Sequence, residues 1–179
     1  MKPLLKKAIL PVVMSLLFIG APVFAQATSA VLPDSQIAQI RANCQSALAT
    51  LGQIHANDAP DYINRNQTYF SISDKLMARL NSRLTLNRYD ATVLVKTASD
   101  YNDQLTQFRA LYQAYDSDMG DALHTDCSKD PMGFYDKVTI ARNARQSVRD
   151  SIDKLTSLIN QYQQNVQSFE TQHFSESKS

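Results

Sequence analysis

The residues from Leu94 to Ala122 contain an unbroken apolar pattern, in which the steps between apolar positions alternate between four and three. The members of this apolar stripe are Leu94, Ala98, Tyr101, Leu105, Phe108, Tyr112, Tyr115, Met119 and Ala122. Such steps place side chains on one face of an α-helix, whereas a β-strand requires steps of two. A long helix with a single apolar stripe buries it against other helices, so the sequence predicts an all-α fold.

The same spacing recurs on both sides of this stripe. The preceding positions are Ile37, Ile40, Cys44, Ala47, Leu51 and Ile54, and a wider apolar face follows between Tyr62 and Leu84. The later positions are Phe134, Val138, Ala141, Arg145, Val148, Ile152, Leu155, Ile159, Tyr162, Val166 and Phe169. Asp34, Asp90 and Asp130 are good N-cap residues, and Pro131 suits a first helical position. We therefore expect helices at about 34–87, 90–124 and 131–172, forming a helical-bundle domain over 34–172.

Pro60 leaves the topology open, because it can either kink one long first helix or end it. The first case gives an elongated antiparallel three-helix coiled-coil-like bundle. The second gives a four-helix up-down bundle in which the chain reverses at Pro60. The apolar pattern can continue across Pro60 with one inserted step of four residues, which a continuous coiled coil tolerates.

The two cysteines, Cys44 and Cys127, are predicted to form one intrachain disulfide, because an even pair in an exported protein favours a bridge. This bridge distinguishes the two topologies. Measured from the turn near residue 88, Cys127 lies about 55 Å along the bundle. Cys44 lies at about 64 Å if the first helix is continuous, but at about 24 Å if the chain reverses at Pro60. Bridged cysteines have Cα atoms within about 7 Å, so an intrachain bridge favours three helices. Unpaired thiols and a bridge between two chains are the alternatives.

The N-terminus reads as a secretory signal peptide over residues 1–25. Lys2, Lys6 and Lys7 precede an apolar segment, and small residues favour cleavage between Ala25 and Gln26, with cleavage after Ala27 as the second option. Residues 26–33 then form an extended leader, and residues 173–179 a disordered tail. An uncleaved N-terminal anchor is the alternative, and no later segment is apolar enough to span a membrane. We expect export to the cell surface, a periplasm-like space or the medium.

Charge argues against nucleic-acid binding. The whole chain has 18 basic and 17 acidic residues, and removal of the three signal-peptide lysines leaves 15 basic residues and a net charge of −2. Nucleic-acid binding requires a concentrated basic surface. A protein partner of unknown identity is expected, and self-association is left open.

Arg145 interrupts the apolar positions of the last helix, where a charge needs a partner. Asp58 and Asp61 lie at a matching height on the first helix, and Arg142 and Arg149 flank Arg145. We predict that these five residues form a buried polar layer that sets helix register. The alternative is a pocket for an anionic ligand built from the three arginines.

No catalytic, cofactor-binding or metal-binding motif is apparent. His55, His124 and His173 lack partners at metal-ligand spacing, and the aspartates from Asp116 to Asp126 do not match a calcium loop. Phosphate-loop, GxSxG and HExxH motifs are absent. We therefore expect no cofactor, no metal and no enzymatic activity.

A set of short segments resembles a group of small exported α-helical proteins of ultrasmall, Saccharibacteria-like candidate-phylum bacteria. The segments are Cys44-Gln45, 64–70, 75–77, 80–84, Asp126-Cys127, Pro131, Phe134-Tyr135, Ala141-Arg142, Arg145 and Val148-Arg149. The resemblance covers nearly the whole chain after the signal peptide, in layout rather than in one diagnostic motif. It implies a helical fold and export. The group has no assigned activity, so no functional residue is carried over.

These observations favour a structural or interaction protein of the cell envelope or surface. A holdase that binds unfolded proteins in a periplasm-like space is the main alternative, and it would expose an apolar patch. A small-ligand binder or enzyme that uses the arginines is the third hypothesis.

Overall fold

The computed structural model describes residues 32–174. The predicted signal peptide, its cleavage site between Ala25 and Gln26, and most of the leader lie outside the described residues. So do residues 175–179 of the predicted tail. The two remaining leader residues, Leu32 and Pro33, are not helical, and Leu32 is buried.

The described residues are helical apart from short turns, and they contain no β-strand. The elements are α1 (Asp34–Ala42), α2 (Cys44–Ser71), a π-helical segment (Ile72–Met77), α3 (Ala78–Leu86), α4 (Thr92–Leu123) and α5 (Pro131–Phe174). The prediction of an all-α fold is therefore confirmed. α5 extends two residues beyond the predicted boundary, so His173 and Phe174 belong to the helix rather than to the tail.

α2 continues through Pro60, so the chain does not reverse there as the four-helix alternative requires. Proline removes one N–H donor and strains the preceding turn. That cost is offset here because α2 packs on the core both before Pro60, through Leu51 and Ile54, and after it, through Tyr62 and Tyr69. The regular α-helix is instead interrupted at Asn43 and in the π-helical segment. Neither interruption was expected from the sequence.

The predicted helix starts are accurate to within two residues. Asp130 caps α5, since its Oδ1 accepts a 2.8 Å hydrogen bond from the backbone N–H of Gly133. Asp90 Oδ1 accepts from the N–H of Thr92 at 3.0 Å, although α4 begins at Thr92 rather than directly after Asp90. Asp34 is the first residue of α1 instead of its cap.

The apolar stripe of α4 forms the centre of the core. All nine of its residues are buried, and both Tyr101 and Phe108 are 0% exposed. On the flanking helices the burial is partial, because Ile63, Phe70 and Leu76 of the predicted apolar face are more than half exposed. The core therefore lies along α4, with α2, the π-helical segment, α3 and α5 packed around it.

Contacts across α4 define the direction of its neighbours. The Tyr101 hydroxyl donates to the backbone oxygen of Tyr69, whereas Tyr115 contacts Asp58, so residue numbers fall on α2 as they rise on α4. Across the other side, Thr97 contacts Asn165 and Gln104 contacts Ser151. α4 is therefore antiparallel to both α2 and α5.

Cys44 and Cys127 form the predicted disulfide, with their Cα atoms 5.5 Å apart. Cys127 is fully buried, and Phe134 of α5 packs against the bridge. The bridge joins the start of α2 to the α4–α5 loop. Among residues 32–174, no helix combines the length and apolarity that a membrane span requires.

Candidate functional site

Asp58 of α2 and Arg145 of α5 form an ion pair between two helices that both pack on α4. Nε of Arg145 donates to Oδ2 of Asp58, and Nη2 donates to Oδ1, both at 2.7 Å. The Asp58 side chain is 21% exposed and that of Arg145 is 35% exposed. This two-bond geometry is the strong form of an arginine–carboxylate interaction, and it aligns α2 with α5 at one height.

Tyr115 of α4 completes this charged cluster of Asp58, Tyr115 and Arg145. Its hydroxyl donates to Oδ2 of Asp58 at 2.5 Å. Partial burial acts to raise the pKa of Asp58, but the hydrogen bonds from Arg145 and Tyr115 outweigh it and lower that pKa below its usual value. Burial, and then the bond to Asp58, raise the pKa of Tyr115. At neutral pH, Asp58 is thus a charged acceptor and Tyr115 a neutral donor.

Of the five residues predicted to form a buried polar layer, only Asp58 and Arg145 pair with each other, and their side chains are half-buried. Asp61 lies one turn further along α2, where it accepts a 2.8 Å bond from Arg65 on the exposed face of that helix. Arg142 is exposed and forms no ion pair among residues 32–174. Arg149 is also exposed, but its charge helps to lower the pKa of Asp58.

His55 is a neighbour that the sequence did not associate with this cluster. Its Nε2 lies 2.7 Å from Oδ1 of Asp116, and its ring meets Tyr115 edge to face at 6.3 Å. His55 lies three residues before Asp58, and Asp116 directly follows Tyr115. Both neighbours are close to the cluster in sequence, but the sequence alone did not show that α2 and α4 bring His55 and Asp116 together.

A cleft opens beside the charged cluster, with a volume of about 250 Å³. It is lined by Asp58, Asp61, Tyr62, Arg65, Phe108, Tyr112, Tyr115, Arg145, Val148, Arg149 and Ile152. The rings of Tyr62 and Tyr112 stack in parallel with centroids 3.6 Å apart, and Phe108 lies 5.3 Å from Tyr62. The cleft therefore combines an aromatic and aliphatic surface with three arginines and two aspartates.

The cleft does not have the arrangement of a metal centre. In the part of the chain from 32 to 174, no three His, Cys, Asp or Glu side chains are grouped so that they could hold a metal ion. Both oxygens of Asp58 already accept hydrogen bonds from the protein. This geometry suits the binding of a charged group better than proton transfer.

A second surface lies at the end of the molecule around the α3–α4 turn. Five of the ten exposed large hydrophobic side chains in the described part of the chain belong to this apolar end: Leu86, Tyr89, Val93, Val95 and Phe174. Leu86 is 82% exposed and Val93 is 62% exposed. The ring of Tyr89 lies 5.6 Å from that of Phe169 and 5.9 Å from that of Phe174, so α5 contributes to the same surface.

Comparisons with protein-family models, with curated proteins and with solved structures find no match to this chain. Within residues 32–174, the charged cleft and the apolar end are the two surfaces on which we base a functional assignment. They differ in chemistry, since one presents charges around a small cavity and the other presents aliphatic and aromatic side chains to solvent.

Proposed function

We propose that this chain is an exported helical-bundle protein that acts as a structural or interaction protein of the cell envelope or surface, and that it is not an enzyme. The observation that supports this proposal is the apolar end. Exposed apolar side chains at one end of a bundle are suited to contacts with another protein, and here they lie on more than one side of α4, since Val93 borders Phe169 and Val95 borders Tyr89. Leu86 and Val93 gain little from the fold itself because most of their surface stays in water.

The proposed architecture is an elongated antiparallel three-helix coiled-coil-like bundle. Its first rod would comprise α1, α2, the π-helical segment and α3, and its other rods α4 and α5. The continuity of α2 through Pro60 and the antiparallel contacts of α4 support this arrangement. A rod of this kind would separate its disulfide-bonded end from its apolar end.

Export by a signal peptide over residues 1–25, cleaved between Ala25 and Gln26, is part of the proposal. It is supported by the basic and apolar pattern of that segment. The Cys44–Cys127 bridge agrees with an oxidising compartment, since disulfides persist mainly outside the cytosol. The resemblance to small exported proteins of Saccharibacteria-like bacteria agrees with the same location.

The proposed partner is a protein of the envelope, not a nucleic acid, and a second copy of this chain is one candidate. The test is co-purification from envelope extracts with the exported protein as bait. Leu86→Asp combined with Val93→Asp should abolish retention of a defined partner, because two charges would enter the contact. Tyr135→Asp combined with Ile140→Asp is the matched control, since these α5 side chains are 44% and 53% exposed and lie away from this end.

Retention of no defined protein, or equal retention by the wild type and the Leu86/Val93 variant, would refute the proposed role of the apolar end. Both variants are expected to fold, because the substituted side chains already lie in water. Circular dichroism at 222 nm checks this. Analytical ultracentrifugation of the purified protein identifies the case in which the partner is a second copy.

The holdase function remains the second candidate, because the same apolar end could bind an unfolded chain. It predicts that stoichiometric amounts of this protein suppress the aggregation of a denatured client, and that the Leu86/Val93 variant does not. A holdase would retain many unrelated clients in the co-purification, whereas an interaction protein would retain one defined partner.

A further inference from the structure

We propose that the cleft between α2 and α5 binds a small aromatic carboxylate, with Arg149 as the principal contact for the carboxylate group. This site goes beyond the interaction function proposed above and does not depend on it. The apolar end lies around the α3–α4 turn and shares no lining residue with the cleft.

Among the charged residues that line the cleft, one arginine has no carboxylate partner in an ion pair within the described part of the chain. Three arginines face two aspartates, and each aspartate already has an arginine partner: Asp58 binds Arg145, and Asp61 binds Arg65. Arg149 also lines the cleft, but it forms no ion pair among residues 32–174. Its guanidinium is therefore available for an added anion.

Arg145 offers a second set of donors. A guanidinium has five N–H donors in a rigid plane, and Arg145 uses two of them for Asp58. The bond to Asp58 also holds the side chain in place, so its remaining donors lose little freedom when a ligand binds. A planar carboxylate matches the geometry of a guanidinium better than a single point charge does.

The rest of the surface is suited to a ring. Tyr62 of α2 and Ile152 of α5 are partly exposed and give the cleft its accessible apolar surface, while Phe108, Tyr112 and Val148 are buried beneath it. One face of the Tyr62 ring is covered by Tyr112, so a ligand ring would meet its edge or its other face. Aromatic side chains of this kind favour stacked or edge-to-face contacts with a ligand ring. An anion without a ring would leave this apolar surface uncovered.

The size of the cleft limits the ligand. Sites for drug-sized molecules are typically about 300 to 1,000 Å³, and this cleft is about 250 Å³. One six-membered ring with a short carboxylate arm fits such a volume, whereas a much larger ligand would extend out of the cleft into solvent. The proposed class is therefore the single-ring aromatic acids.

The experiment is a calorimetric titration of the full exported protein with 4-hydroxyphenylacetate. We expect saturable binding with a Kd of about 1 mM or tighter, and binding at least about tenfold weaker for the matched amide, which lacks the charge. Acetate and inorganic phosphate test whether a bare anion suffices. Absence of saturable binding by 4-hydroxyphenylacetate overturns the proposal, and so does binding of phosphate or acetate that is as tight.

Two substitutions on α5 locate the site. Arg149→Gln should weaken binding of 4-hydroxyphenylacetate by about tenfold, because one charge-assisted contact is lost. Arg142→Gln changes the net charge equally on the same helix but lies outside the cleft, so its Kd should not change. Both arginines are exposed, so both variants should keep the melting temperature of the wild type. Equal weakening by both substitutions would show only a general charge effect and would overturn the assignment of the cleft.

Discussion

Replacement of Arg145 by leucine tests whether the charged cluster stabilises the fold through a specific ion pair. The substitution leaves Asp58 with a single hydrogen bond, from Tyr115, in a site where its side chain is only 21% exposed. Breaking a fully buried pair costs about 3 to 5 kcal/mol, and losing an exposed pair costs about 0 to 1 kcal/mol. Because this pair is half-buried, we expect Arg145→Leu to lower the free energy of unfolding by about 1 to 3 kcal/mol at pH 7.

The pH dependence of that cost identifies its origin. The pKa of Asp58 is lowered in the folded protein, so its stabilising contribution is complete above the ordinary value of 3.8 and is lost as the pH falls through the folded value. In Arg145→Leu the main lowering influence is gone while burial remains. The stability difference between wild type and variant should therefore be largest near neutral pH, and it should shrink as the pH falls through the Asp58 pKa of the variant and then through the lower one of the wild type.

Urea unfolding followed by circular dichroism at pH 7 and in acid measures both effects. Arg142→Leu is the matched control, because Arg142 is exposed on the same helix without an ion pair among residues 32–174, and its cost should stay within about 0.5 kcal/mol. Removing the whole cluster, with Asp58→Leu, Tyr115→Phe and Arg145→Leu together, should restore stability to within about 1 kcal/mol of the wild type. The reasoning is refuted if Arg145→Leu costs no more than the control, or if its cost is independent of pH.

Three further predictions concern the fold. Cys44→Ser should lower the free energy of unfolding by about 4 kcal/mol, because the bridge spans 83 residues; urea unfolding measures it, and an unchanged midpoint would contradict it. Phe108→Ala should lower the free energy of unfolding by about 3 to 5 kcal/mol in the same assay, since Phe108 is fully buried in the middle of α4. A loss as small as that of a surface substitution would show that the apolar stripe is not the core. Pro60→Ala should raise the melting temperature, because α2 regains a hydrogen bond to the carbonyl of Ala56 and loses the steric clash of the proline ring. A lower melting temperature would mean that α2 requires the proline.

The sequence alone determined the features that depend on local order along the chain. The alternating steps of four and three specify which face of α4 is apolar, and every residue of that stripe is buried. Asp130 followed by Pro131 determined where α5 begins, because a cap requires only residues of its own first turn. The cysteine count predicted the bridge, and helix rise then predicted that the first helix continues through Pro60, since two sulfurs can meet only when their heights along the bundle agree.

Tertiary structure alone decided which side chains meet across helices. Asp58 and Asp61 lie within one turn of α2, and periodicity allowed either of them to pair with Arg145; the rotation of α2 about its axis brought Asp58 to the pair and left Asp61 outside. The contact between His55 and Asp116 and the cleft beside Arg149 depend on the same rotation and on the spacing between α2 and α5. These quantities result from packing over the whole length of the helices, so no short segment of sequence encodes them.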